Sequence, residues 1–529
     1  MNNRIFVNSP ILLSEFCRSK RTRRIVAAIS AFCMLTVGSP TAFAGTSLLG
    51  GKAVLEGLTR VTQGATTADS VTFNSSAKVG ILDWSKYNIG AGQSMTYNGA
   101  GTTFFNLVNG AAGKSQIDGM INGNGSVWVI NPNGVAFGSE SVVNVGGVFG
   151  VSAKALTDDC LEMLRTVDEM PAEGLTFKEF TATEASANEV QANEVAEAEP
   201  ESDPGNVLVS KGAQFNGNDI DFTTGDWAPG KQVALVGKSV KVEEGAFLNA
   251  DKVNIAAAKS AVMAKVDSVG DGTVSLNISA FKDVDADINV TFGGVADAGP
   301  VEAVGNLTAI SEGNIAVEGS IKAGEAIEFR AGKSASDGFA KSITVTSGKY
   351  VRGNSVKAEA SGAVTIGEAS GAAAEMAALD GALEITAGQD INVVNATVKA
   401  GTFTVNESTG AVEIPTGHDA QNLTLTSGGK ITVEGASRVG ASKDVTFQKL
   451  TGTDPAVSGG DIAIKGGSKV AANGNLNVDA NGAAAVDSAT VVARETLGVT
   501  AAKGVSVDSG AAVKSSGNLT VTANGGAIE

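Results

Sequence analysis

The sequence predicts an all-β protein, a parallel β-helix with three short strands in each coil of about 21 residues. Three observations predict it. Apolar residues recur at a nearly fixed step. The pairs Ile462/Ile464, Ala484/Val486 and Val505/Val507 lie 22 and then 21 residues apart. Val470, Val491 and Val513 step by 21 and 22, and Leu476/Val478, Leu497/Val499 and Leu519/Val521 repeat the phrase. The same phrase occurs earlier as Ile315/Val317, Ile321, Ile327/Phe329 and as Ile431/Val433, Val439, Val445/Phe447. Within each pair the alternation has the period of a strand, and Gly, Asn or Ser marks the breaks. The chain also holds 67 Gly and only 5% aromatic residues. That composition favours tight turns and thin cores over packed helices. Three such strands cannot bury their apolar faces alone, but stacked coils can. Leucine-rich repeats have a similar length, yet their Leu/Asn consensus and helical arm are missing.

Residues 1–44 are an address. Arg18, Lys20, Arg21, Arg23 and Arg24 form a basic region, residues 25–37 are largely apolar, and Ala42-Phe43-Ala44 is a small-x-small cleavage site before Gly45. Thirteen apolar residues are too few for a permanent membrane span. An added stretch, residues 1–17, precedes the basic cluster. Cleavage between Ala44 and Gly45 removes six basic residues and one acid, which leaves 33 basic and 55 acidic residues, a net charge of −22. Such a surface repels nucleic-acid phosphates, so no nucleic-acid partner is expected. Cys17 and Cys33 leave with the signal and only Cys160 stays, so no intramolecular disulfide forms. A chain that crosses a membrane pore in extended form needs that freedom; a fold large enough to need no staple explains it equally well.

Residues 45–153 hold the most informative string. Val127 and Val129, then Val135 and Phe137, alternate on either side of Asn131-Pro132-Asn133-Gly134. That is two short strands around a turn of type I chemistry, with Pro presetting the second corner and Gly at the exit. Val143-Asn144-Val145-Gly146-Gly147-Val148 follows. Upstream stand Asp83-Trp84-Ser85-Lys86-Tyr87-Asn88-Ile89-Gly90, Phe105-Asn106-Leu107-Val108-Asn109-Gly110 and Ser115-Gln116-Ile117-Asp118-Gly119.

These strings, in this order, resemble the secretion (TPS) domain of filamentous haemagglutinin-like exoproteins, which are exported by two-partner secretion. The resemblance covers roughly residues 45–153. Leu107 stands where an Arg is common in the family, and a second family motif, Asn-Pro-Asn-Leu, is absent. The resemblance implies a right-handed β-helix and a secretion motif at Asn131, Pro132, Asn133 and Gly134. It also implies supporting positions at Trp84, Asn106, Asn144, Gly146 and Gly147. The implied partner is an outer-membrane β-barrel transporter with periplasmic POTRA domains. The turn serves either as a determinant of recognition and folding during export or simply as the cap of one coil.

Residues 154–204 carry 14 acidic and three basic residues, with the near-duplicates Ala187-Asn188-Glu189-Val190 and Ala192-Asn193-Glu194-Val195. The composition predicts a solvated, disordered insertion, with room for a short helix near 157–165. Secretion-domain sequence and the first coils resume over 205–260. The shaft occupies 261–529 and ends in mid-coil, as a truncated product would. At ~4.8 Å per coil, residues 205–529 make a rod of about 70 Å.

Catalytic chemistry finds no foothold in the residue pattern. His418 is the only histidine and sits beside Pro415 and Gly417 as a loop residue, so Ser-His-Asp and His-based zinc sites are not expected. Gly113-Lys114-Ser115 and Gly237-Lys238-Ser239 fail as phosphate loops, because Val108 and Gln232 occupy the positions that require Gly. No cofactor and no metal is expected. A carboxylate-based polysaccharide enzyme on a β-helix face stays open as an alternative.

The expectation is therefore a non-enzymatic exoprotein, secreted or held at the cell surface of a Gram-negative bacterium. It acts as an adhesin on an unidentified host-cell or bacterial surface receptor or glycan. The alternatives are the N-terminal part of a contact-dependent inhibition exoprotein that delivers a toxin, and an autotransporter passenger.

Overall fold

The computed structural model describes residues 45–109, 113–156, 164–169, 175–178, 205–217, 230–259, 262–266, 274–278, 281, 288–293, 299–334, 340–405, 412–413, 420–450, 460–508 and 510–529. Residues 1–44, where a signal and its cleavage site after Ala44 are expected, Cys160, His418 and residues 179–204 lie outside that set. Gly45 is its first residue.

Three long sheets of 17, 16 and 13 strands run along the chain as a parallel β-helix. One coil shows the principle. Ile462–Lys465, Lys469–Ala472 and Leu476–Ala480 each belong to a different sheet. The next coil stacks on it in register, with Ile462 opposite Ala484, Val470 opposite Val491 and Leu476 opposite Leu497. The 21- and 22-residue steps in the sequence are therefore coil-to-coil contacts. In each strand the alternate apolar residue points inward, as at Ile462 and Ile464, and is buried. The step lengthens where an excursion leaves the coil, as between Leu383–Ala387 and Leu423–Ser427, which pair directly across 40 residues.

The first coils have a different interior. Phe73, Trp84, Tyr87, Tyr97 and Phe104 are all fully buried, with ring centroids 5.1 to 5.8 Å apart between neighbours. Farther along, aliphatic residues such as Ile391, Val398 and Leu425 fill the core. The N-terminal end is closed by antiparallel pairing. Thr46–Leu48 pairs with Ala53–Thr59, which pairs antiparallel with Val79–Tyr87, the strand that starts the parallel stack of the first sheet. Such a strand ahead of the first coil covers an edge that would otherwise lie open.

The acidic segment departs from the expectation of disorder wherever it is described. Lys154–Leu156 and Leu175–Lys178 join Val262–Val266 and Val274–Ile278 in a separate four-stranded antiparallel sheet. Leu164, Leu175 and Phe177 are fully buried against the outer side of the first sheet. The physical reason lies on that outer side. Phe105, Trp128 and Phe149 point away from the coil interior, so their rings need a cover. Trp128 stacks on Phe149 at 3.8 Å and lies 5.9 Å from Phe177. The mean acidity of the segment concealed a few apolar residues that carry the packing.

Ionic contacts fasten this cover. Arg60, held at a positive φ of 56°, donates to the carbonyls of Leu164 and Arg165 at the end of a helical turn, and to Val79 O at 2.8 Å. Arg165 pairs with Asp83, and Asp168 accepts the Val79 amide at 2.9 Å. Leu107, at the position where an Arg is common, joins the outer apolar cluster and stands across from Asp83 in the ladder. No helix among the described residues is long and apolar enough to cross a membrane.

Candidate functional site

The Asn-Pro-Asn-Gly turn is a corner between two sheets. Ser126–Ile130 belongs to the first sheet, between Thr103–Val108 and Gly147–Val151. Val135–Phe137 belongs to another, between Ser115–Ile117 and Asn206–Val209. The corner closes with the Gly134 amide donating to Asn131 O at 3.1 Å, the bond that type I chemistry calls for. Gly134 has φ of 116°, and a side chain there would stand 3.0 Å from Asn206 O, so glycine is required on both counts.

Asn131 is fully buried. Its side-chain amide donates to Gly113 O and to Ser115 Oγ, both at 3.0 Å, and its carbonyl oxygen accepts the Asn133 amide at 2.9 Å. Its backbone amide donates to Val151 O on the next coil at 2.9 Å. One residue thus ties its own corner to the coils on both sides. Pro132 and Asn133 are half-buried and form the outer edge of the corner. The four motif residues therefore divide. Asn131 and Gly134 hold the backbone, while Pro132 and Asn133 present a surface.

The supporting positions fall into separate places. Trp84 and Asn106 meet inside the coil, where Trp84 Nε1 donates to Asn106 Oδ1 at 3.0 Å and the Tyr97 hydroxyl donates to the same oxygen at 2.8 Å. Asn106 Nδ2 donates to Trp128 O at 3.1 Å, three residues before the corner. The hydroxyls of Tyr87 and Tyr97 are 3.0 Å apart. Burial pushes both phenols well above the ordinary tyrosine range, with the Tyr97 hydrogen bond opposing it at Tyr87 and the Tyr87 contact adding to it at Tyr97. A polar network in an aromatic core is favourable only when its members are paired, and this one fixes the register of three coils.

Asn144 lies on a different sheet in a ladder of amides. It donates to Asn122 Oδ1 and accepts from Asn216 Nδ2, each at 3.0 Å. Gly146 donates to Gly125 O at 3.1 Å, and a side chain on Gly147 would press to 3.2 Å from Ser126 Oγ. These residues build the coils around the corner. They do not converge on one cavity.

The outer cluster of Trp128, Phe149, Leu175 and Phe177 was missed by sequence reasoning. Its signal was present, because Phe104-Phe105 and Val127-Trp128-Val129 place apolar residues on both faces of a strand. Among the described residues no group of three or more His, Cys, Asp or Glu is placed to hold a metal ion.

The fold and this corner define a β-helical module with a closed N-terminal end and a long shaft. Residues 56–280 match the TPS secretion domain family, and the chain is similar to filamentous haemagglutinin-like two-partner secretion exoproteins. Exoproteins with this domain are secreted by Gram-negative bacteria. A heme/hemopexin-binding protein of Haemophilus influenzae strain Rd is 28% identical over 126 residues, 23% of this chain and 14% of that protein. A second heme/hemopexin-binding protein of Haemophilus influenzae is 30% identical over 95 residues, 17% of this chain and 10% of its own. The matches thus span a small part of the length of those relatives. The crystal structure of the HMW1 secretion domain from Haemophilus influenzae overlaps with a TM-score of 0.39 at 14% identity, covering 88% of this chain and all of that one.

Proposed function

We propose that this chain is a non-enzymatic adhesin, exported through an outer-membrane transporter with POTRA domains, with a secretion domain that begins the fold and a β-helical shaft that displays binding surface. Residues 1–44 are its signal, removed before Gly45. Residues 45–280 form the secretion domain, with the strands Val262–Val266 and Val274–Ile278 packed on the outer side of its first sheet, and 281–529 form the shaft.

One observation carries the reading. In the first sheet the parallel pairing passes without a break from Thr103–Val108 through Ser126–Ile130 and onward to Leu519–Ala523. Each coil offers its successor a ready edge and a ready register. A chain that emerges from a pore with its N-terminal end first can then fold coil by coil on the part already outside. The aromatic first coils and their antiparallel cover supply the starting template. The absence of a disulfide-forming pair in 45–529 suits passage as an extended chain. The long faces of small polar side chains suit repeated weak contacts with a surface.

The test uses cells that carry the gene with and without its transporter. Secreted chain and binding to host or sibling cells are expected only with the transporter. Haem and hemopexin belong in the same binding assay, since they are the named ligands of the two relatives. Secretion without any cell binding, coupled to growth arrest of neighbours, favours the toxin-delivery alternative and ends the adhesin reading.

A further inference from the structure

The outer face of the 16-stranded sheet carries a groove in the shaft, with a volume of about 480 Å³. The strands Ala374–Ala378, Ala396–Ala400, Arg438–Ala441 and Lys469–Ala472 stack side by side beneath it and turn alternate residues outward. Glu375, Thr397, Arg438 and Lys469 stand in one outward column, and Ala377, Lys399, Gly440 and Ala471 in the next. The second column drops from a long side chain at Lys399 to none at Gly440 and a methyl at Ala471, and that step is the floor of the groove. Phe403 supplies a wall. A side chain on Gly440 would stand 2.7 Å from Phe403 Cζ and 3.1 Å from Cε2, so the edge of the ring rests on bare backbone there. The ring is half-buried and lines the groove.

The charges around the groove are already met. Glu375 pairs with Arg352 at 2.5 Å and with Lys399 at 3.2 Å, and Arg352 rests on the Tyr350 ring at 4.2 Å. Arg438 and Lys469 are engaged as well. An anion would have to break one of these contacts to gain a cation, and a cation would have to break one to gain Glu375. A wholly apolar ligand would strip water from polar groups and give them nothing in return. Hydrogen-bonding capacity is what the groove has left. An ammonium has three donors and a carboxylate about four acceptor places, so an ion pair leaves several of each, and the Thr397 hydroxyl can both donate and accept. An uncharged ligand with hydroxyls on its rim can take those places without breaking an ion pair. If it also has a flat apolar face, that face can lie on Phe403.

We propose that this groove binds a neutral sugar, a pyranose whose apolar C–H face stacks on the Phe403 ring and whose hydroxyls bond to Thr397, Glu375 and Lys399. The volume lies within the range of small-molecule sites, roughly 300 to 1,000 Å³, and admits one or two sugar rings. The proposal deepens the adhesin reading by giving the shaft a ligand class. It rests on that reading only for its biological role, and a binding test on the isolated protein fails or holds apart from adhesion and export.

The full mature chain is titrated with methyl β-galactoside, methyl β-glucoside and glucuronate, and binding is followed by ligand-observed NMR. At least one of the two glycosides is expected to bind at concentrations up to ~50 mM, with an affinity that changes less than about twofold as salt rises from ~50 to ~500 mM. Glucuronate has the same ring with a charge added and is expected to bind no more tightly than methyl β-glucoside. Phe403→Leu keeps apolar bulk without the flat face and should lose about tenfold or more in affinity, while Phe403→Trp should stay within about threefold of the unaltered protein. Lys514→Ala, exposed on the same sheet but outside the groove lining, should change nothing. Unchanged β-sheet circular dichroism in Phe403→Leu separates lost binding from lost fold. No binding of either glycoside, an affinity that falls steeply with salt, tighter binding of glucuronate, or full affinity in Phe403→Leu overturns the proposal.

Discussion

The two asparagines of the Asn131–Gly134 corner should behave differently when each is replaced by alanine. Asn131→Ala removes two donated bonds and one accepted bond at a fully buried site. Gly113 is exposed, so its carbonyl turns to water at little cost. Ser115 is buried and its hydroxyl loses a partner that water does not replace. At about 1 kcal/mol per bond, with a surcharge for Ser115, the loss is about 3 kcal/mol in the coils around the corner. Asn133 is half-buried, so Asn133→Ala should cost less than about 1 kcal/mol. Hydrogen exchange of the full mature chain reads this locally. In Asn131→Ala the amides of Asn131 and Ser115 should exchange faster by about two orders of magnitude, while amides of the shaft beyond residue 420 keep their rates. If export with the transporter then fails for Asn133→Ala while its exchange pattern is intact, the corner is read as a surface. Equal effects of the two substitutions on exchange would refute the division of the motif into a buried half and a presented half.

Phe177→Ala should cost about 3 kcal/mol and shift Trp128 fluorescence to the red, because it uncovers the outer aromatic stack; wild-type stability in this variant would show that the acidic segment is the free excursion its composition suggests. Raised phenol pKa values at Tyr87 and Tyr97 mean that the fold favours their neutral forms, so their stabilisation is complete below about pH 10 and is lost as pH rises above it. Phenolate absorbance from these two should appear only together with loss of β-sheet signal, and ionisation within an intact fold would contradict the buried network. The Glu375 carboxyl lies below its ordinary value, so the stability it lends is present at neutral pH and is lost as pH falls through a pKa under 4.5. Glu375→Gln should therefore flatten the acid limb of the stability curve, and an unchanged limb would place the Glu375 ion pairs with Arg352 and Lys399 outside the stability account.

The shaft was legible because its physics is one-dimensional. A strand that must bury alternate residues in every coil writes its period into the sequence, and Leu476, Leu497 and Leu519 are stacked neighbours as that period predicts. The corner was legible because turn chemistry is local. Asn131, Pro132, Asn133 and Gly134 state their geometry within four residues. The outer layer was not legible in the same way. Its partners, Phe177 and Val262, come from two excursions separated by an interval with no fixed length, and each excursion is mostly polar. Average composition outvoted three buried residues, Leu164, Leu175 and Phe177. The Phe403 ring that lies on Gly440 was hidden for a related reason, since Phe403 reaches the sheet from a stretch that breaks the repeat.

The central claim is export of a folding-competent β-helix by a partner transporter. The most direct measurement is the mass of the chain recovered from the medium of cells expressing this gene, with the transporter gene present or deleted. A species that begins at Gly45, appears only with the transporter and shows β-sheet circular dichroism is the predicted result. A chain that reaches the medium equally without the transporter, or that stays in the cell with residues 1–44 attached when the transporter is present, would contradict it.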